Sequence, residues 1–127
     1  MPTDHSRQSV EVEARAADVL ALLRDVASQP EWIPQIREAE VLTTDARGRP
    51  ATARFAAATS VGTDRYTLAY EHSTDGLRWT MVRGRLQTGQ EGVWTLETAG
   101  RGRTRATYDL TIHHNLVLPG FLRRRVI

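Results

Sequence analysis

Between Ile36 and His114 the chain alternates short period-two hydrophobic runs with tight-turn residues, and this punctuation limits the fold more than any other feature. Strands are expected at Glu38–Thr44, Ala51–Ser60, Asp64–His72, Leu77–Arg83, Leu86–Thr98 and Thr104–His114. The segments Asp45-Ala46-Arg47-Gly48-Arg49-Pro50, Ser73-Thr74-Asp75-Gly76 and Ala99-Gly100-Arg101-Gly102-Arg103 carry the residue types that turns require. Gly89 and Gly92 fall inside the fifth of these strands and predict a bulge or a strong bend. Short strands joined in this way form an antiparallel meander. A meander with one apolar face needs a helix laid on it.

The flanks supply the helices. Ser9–Glu13 alternates Val10 and Val12 with Glu11 and Glu13, as a half-buried strand does. Ala16–Ala27 changes period, with Val19, Leu22, Leu23 and Val26 at helical spacing and Asp18 near the positive end of the helix dipole. Ser28-Gln29-Pro30 is expected to stop that helix, and Glu31–Ile36 to form one irregular turn. Here Gln29-Pro30-Glu31-Trp32-Ile33-Pro34 sets an aromatic between two prolines, a stiff bend whose large side chain is either a packing anchor or the lid of a pocket. Asn115–Gly120 leads into Phe121–Ile127, the opening turns of a last helix entered through Pro119. The expected class is α+β, one domain over residues 1–127, with 1–8 flexible.

Composition removes several chemistries. The chain has no cysteine, which excludes disulfides, thiolate catalysis and cysteine-bearing metal sites. It has no lysine either, so neither a Schiff base on lysine nor a P-loop is available. Fifteen acidic residues nearly balance the seventeen arginines, leaving a formal charge of +2, a poor footprint for nucleic acid. Met1–Gln8 is polar without a secretory core, and nothing approaches a membrane-spanning run, so a cytoplasmic location is expected.

Period-two bookkeeping gives the strands a common face. Tyr66, Leu68, Tyr70 and His72 share it, as do Leu77, Trp79 and Met81, then Trp94 and Leu96, then Tyr108, Leu110, Ile112 and His114. Phe55 sits among Ala53, Ala57 and Thr59. Large aromatics beside alanines, with tyrosine hydroxyls and imidazoles among them, fit a packed core. They also fit a pocket, where small residues leave volume and a few polar groups orient a ligand.

Other constellations carry less. His113 and His114 are adjacent on a strand and point to opposite faces, while His72 and His114 share inward parity but have no third ligand, so no metal site is expected. Ser73, His72 and Asp75 are neighbours in a strand and turn, where side chains diverge, and no elbow motif supports a triad. The carboxylates of Glu11, Glu13, Glu38 and Glu40 belong to the solvent face. Gly100-Arg101-Gly102-Arg103 is most simply a turn.

The stretches Gln29–Pro34, Glu38-Ala39-Glu40-Val41-Leu42, Leu77-Arg78-Trp79-Thr80-Met81-Val82-Arg83-Gly84, Gly92-Val93-Trp94-Thr95-Leu96 and Leu118-Pro119-Gly120-Phe121-Leu122 together resemble the START-like (SRPBCC, Bet v 1-like) superfamily in its polyketide cyclase/dehydrase branch. Coenzyme Q-binding proteins and plant pathogenesis-related proteins are similar in fold. The resemblance runs over nearly the whole chain and implies a helix-grip: a curved antiparallel sheet of about seven strands, two short helices after the first, and a long C-terminal helix over an apolar cavity. It implies no metal and no fixed cofactor. Trp32, Phe55, Tyr66, Leu68, Tyr70 and His72 would then line or close the cavity from one side, and Trp79, Met81, Trp94, Tyr108, Leu110, Ile112 and Phe121 would complete it.

Two departures follow. Aromatase/cyclase members place an arginine in the cavity, and this chain has no equivalent; His72, with Tyr70 two residues before it, is the nearest candidate for acid/base work. The family's last helix is long, whereas this sequence ends about two turns into it by helix geometry: either the helix is cut short here and the protein is a monomer, or the groove is left open and would recruit a ligand or a second chain as a dimer. Arg123, Arg124 and Arg125 fan round that helix beside a stripe of Leu118, Leu122 and Val126; they suit a solvated face or transient contact with an anionic membrane or acidic partner. Three functions stay open: binding or transport of a hydrophobic lipid, quinone or polyketide-like molecule; a polyketide cyclase, aromatase or dehydratase; and an interaction domain whose cavity is filled.

Overall fold

The computed structural model describes residues 3–114, in which strands β1 (Thr3–Val12), β2 (Ile36–Thr44), β3 (Pro50–Thr59), β4 (Gly62–Ser73), β5 (Gly76–Arg83), β6 (Gln87–Gly100) and β7 (Arg103–His114) form one antiparallel sheet. The spatial order is β1-β7-β6-β5-β4-β3-β2, a six-strand meander whose last member also pairs with the first strand of the chain. The expected α+β class and strand count hold. Helices α1 (Ala16–Arg24) and α2 (Gln29–Trp32), with a 3-10 turn at Val26–Ser28 between them, fill the connection from β1 to β2.

This helical segment shows how far the sheet curves. Helix α1 rests on β6 and β7, while the 3-10 turn and α2 rest on β2, at the opposite edge of the strand order. Register shifts in β2, β5 and β6 accommodate the bend, since an extra residue on one strand raises its local twist. Val19, Leu23 and Val26, spaced four and three apart, point from the segment into the sheet and are buried, whereas Leu22 is half exposed and does not belong to the buried stripe. They meet Ala53, Phe55, Tyr66, Leu68, Tyr70, Leu77, Trp79, Leu96, Leu110 and Ile112 on the concave face, the face that period-two spacing assigns.

Two expectations need correction. Residues 3–8 are not a flexible tail but the first half of β1, paired from Thr3 with His113 to Val12 with Thr104. They lack apolar alternation because β7 holds them by polar contacts: Thr3 Oγ1 to His113 at 3.0 Å, His5 to Asp109 at 2.7 Å and Arg7 to Asp109 at 3.3 Å. Pro30, expected to end a helix, instead sits in the first turn of α2, where a missing N–H costs nothing. The expected C-terminal helix, with Phe121 and Arg123–Arg125, lies outside the described residues.

Candidate functional site

The inward face does not pack solid. Between the concave sheet and the helical segment lies a cavity of about 370 Å³, within the range of small-molecule sites. Its walls are mostly apolar, from Leu23 of α1 through Ile33 and Ile36 to Leu68, Leu77, Leu110 and Ile112 of the sheet. Ala57 and Ala58 of β3 supply the missing volume. All three tryptophans of the sequence, Trp32, Trp79 and Trp94, border this space, as do all three tyrosines, Tyr66, Tyr70 and Tyr108.

Trp32 closes one side. It is 38% exposed, and its Nε1–H donates to Ser28 Oγ at 3.2 Å, one helical turn back, while Ser28 Oγ donates to the Asp25 carbonyl at 2.7 Å. A side chain both exposed and cavity-lining belongs to a mouth. Val61, on the two-residue turn between β3 and β4, is 39% exposed and lines the same cavity.

Inside, the aromatics form a continuous array. Tyr70 and Trp79 have ring centroids 6.0 Å apart, Trp79 and Tyr108 6.2 Å, and Tyr108 and Trp94 4.8 Å, within the separations at which aromatic rings interact. Burial holds the Tyr66 and Tyr70 phenols well above the usual tyrosine range, the charge of Asp64 adding to the effect at Tyr66, and burial pushes Tyr108 up to about 12. All three remain protonated donors at neutral pH.

One cluster of polar groups in the cavity lies toward β6 and the end of β7, apart from Gln29 of α2 and Thr59 of β3. Asp64 is wholly buried; its Oδ1 accepts the Leu86 N–H at 2.8 Å and its Oδ2 accepts the Gln87 side-chain amide at 2.7 Å. Gln90 Nε2 donates to Gln87 Oε1 at 2.7 Å, and Trp79 Nε1–H donates to Gln90 Oε1 at 2.9 Å. His114, 1% exposed, lines the cavity and holds Asp4 of β1 through Nε2 at 2.8 Å from Oδ2. A buried carboxylate, two amides and an imidazole thus form a hydrophilic cluster in a largely apolar chamber.

Of the residues expected to line the site, Trp32, Tyr66, Leu68, Tyr70, Trp79, Trp94, Tyr108, Leu110 and Ile112 do so. Phe55, His72 and Met81 do not. Phe55 is buried behind the wall, stacked on Tyr66 with centroids 5.5 Å apart. His72 is drawn off at the end of β4, its Nε2–H donating to the Pro50 carbonyl at 2.7 Å and its ring stacked on Tyr70. Met81 lies against Gly84 at the end of β5. His72 therefore sits outside the chamber while His114 sits within it, so the two imidazoles do not face one another across it.

Sequence reasoning missed Asp64, Gln87 and Gln90. Asp64 and Gln90 were accessible by extending period two back from Tyr66 and Trp94. Gln87 was not, because the register shift between Gln87 and Gly89 turns it inward against the parity of β6.

The family model for "Polyketide cyclase / dehydrase and lipid transport" matches residues 12–127. The chain belongs to this family. No curated protein matches the sequence. Among solved structures, this family member is similar to a START superfamily protein from Mycobacterium smegmatis, at 22% identity and TM-score 0.85 over 96% of this chain and 85% of that one. It is similar to the Zhui aromatase/cyclase from Streptomyces sp. R1128, at 16% identity and TM-score 0.79 over 92% and 72%. A Thermus thermophilus protein matches at 20% identity and TM-score 0.80 over 95% and 82%. These likenesses establish the START fold. Among the described residues, no helix is long and apolar enough to cross a membrane.

Proposed function

We propose that this protein binds and carries a hydrophobic small molecule in the chamber between its sheet and its helical segment. The carrying observation is the cavity of about 370 Å³ with its unbroken array of aromatic rings. Ring faces recognise flat, apolar bodies such as quinones, polyphenols or polyketide-like molecules, and the protonated tyrosines fix their orientation through hydrogen bonds. Trp32 and Val61 at the exposed rim give the ligand a route that need not disturb the sheet.

The test is intrinsic fluorescence, since every tryptophan borders the cavity. A panel of lipids, quinones and polyphenols should include members that quench emission and raise the melting temperature. No quenching and no thermal shift with any of them, together with no small molecule in the mass spectrum of protein from its native host, would remove this reading.

A second reading, a cyclase, aromatase or dehydratase acting on a polyketide-like chain, is favoured by one observation. The buried His114 imidazole borders the chamber and is positioned by Asp4, an arrangement suited to moving a proton. It takes the place that His72 was expected to fill. Desolvation and shape would fold the substrate, and His114→Gln should then abolish turnover while leaving binding intact.

A further inference from the structure

The chain of hydrogen bonds from Trp79 to Asp64 has a fixed direction. An indole N–H can only donate, so the amide oxygen of Gln90 must face Trp79 and its nitrogen must face Gln87. At the other end both oxygens of Asp64 act as acceptors, so the nitrogen of Gln87 must face Asp64. The ambiguity that usually attends side-chain amides is removed by the chemistry of the two ends.

Each amide nitrogen carries two hydrogens, and each spends one within the relay. Each oxygen accepts one bond within the relay, Gln90 Oε1 from Trp79 and Gln87 Oε1 from Gln90, and is held facing that donor. What remains at the cavity wall includes one N–H on each of two residues that both line it. Tyr66 and Tyr108 add hydroxyl groups to the same cavity. Asp64 makes no ion pair among the described residues, and no arginine among them lines the cavity to favour an anion.

We propose that Gln87 and Gln90, held in one orientation by Trp79 and Asp64, form a subsite for a neutral hydrogen-bond acceptor, a ketone or quinone oxygen, borne by the apolar ligand. The subsite rests on the ligand-binding reading above and specifies what that ligand carries. Gln87 and Gln90 contact the oxygen; Asp64 and Trp79 are positioning residues that keep the amides from turning their oxygens toward it.

Fluorenone, fluorene and fluorene carboxylate, nearly equal in shape, separate the possibilities when titrated by tryptophan quenching into the whole protein. Fluorenone should bind about fivefold more tightly than fluorene, the value of one net neutral hydrogen bond, and the carboxylate should bind most weakly. In Gln87→Met and in Gln90→Met, each checked for a native circular dichroism spectrum, the preference for fluorenone should vanish while fluorene affinity is retained. Equal affinities for fluorenone and fluorene in the wild type overturn the subsite but leave the ligand-binding reading standing. A preference that survives in both folded variants overturns it too, as does tight binding of the carboxylate. If none of the three compounds binds at millimolar concentration, the ligand-binding reading falls and the subsite with it.

Discussion

The indole of Trp79 lies directly across Gly92, its β6 partner on the neighbouring strand, in space that any side chain at 92 would occupy. A Cβ built on Gly92 overlaps Cζ2 and Cε2 of the ring. The glycine therefore does more than permit a bend in β6. It lets the indole lie flat against the strand, where its N–H reaches Gln90 two residues away along β6.

Gly92→Ala should cost about 2 kcal/mol in chemical denaturation, because the ring must leave its well-packed position and neighbouring aromatics must follow. The same variant should lose the blue-shifted component of tryptophan emission that a buried, hydrogen-bonded indole contributes. Wild-type stability with an unchanged spectrum would show that the ring does not rest on the glycine.

Removing the carboxylate of Asp64 separates its two roles. Asp64→Leu leaves the Leu86 N–H and one Gln87 N–H buried without an acceptor and should destabilise the fold by about 3 kcal/mol. Asp64→Asn keeps one acceptor oxygen and should cost about 1 kcal/mol. If thermal melting ranks the two alike, hydrogen bonding at this position is not what stabilises the end of the chamber.

The tyrosines predict an alkaline limit. In the unfolded chain they titrate at about pH 10, the ordinary tyrosine value, whereas in the fold Tyr108 is pushed up to about 12 and Tyr66 and Tyr70 higher still. Raised folded values stabilise the native state fully below the unfolded pKa, and the contribution is lost as pH climbs through the folded values. Ultraviolet titration should show no tyrosinate around the ordinary tyrosine pKa, then a steep rise coincident with loss of the circular dichroism signal. Gradual ionisation of even one phenol in a still-folded protein would contradict the burial of these hydroxyls.

Trp32→Ala tests the mouth. The side chain is partly exposed, so stability should fall by only about 1 kcal/mol, less than truncation of a core tryptophan. Release of a bound quinone, followed by stopped-flow fluorescence of Trp79 and Trp94, should quicken several-fold with association little changed. Unaltered release would place the exit elsewhere.

Much of the sheet was legible because period two is a strong signal on a face that is buried: Tyr66, Leu68 and Tyr70 read as one wall and are one. The order of strands and the turn at Thr74-Asp75 followed from residue types alone. The N-terminal half of β1 did not, because an edge strand held by His5, Ser9 and Asp109 carries no hydrophobic alternation. Within the site, aromatics were found and polar groups were misassigned. His72 has inward parity, yet the Pro50 carbonyl captures it, a contact between residues 22 apart that no local pattern reports. Gln87 became visible only once the register shift beside Gly89 was known. Parity predicts a face; it does not predict which members of that face are spoken for by a neighbour.

The pairing of β1 with β7 carries a consequence for how the protein is made. Asp4 and His114 stand 110 residues apart in sequence and touch in the fold. During synthesis the first strand must wait, unpaired along one edge, until nearly all of the sheet has emerged. Closing a loop across such a span carries an entropy cost that the local hairpin pairings do not. The chamber's hydrophilic end, where His114 meets Asp4, is thus incomplete until the last strand of the sheet has joined the first.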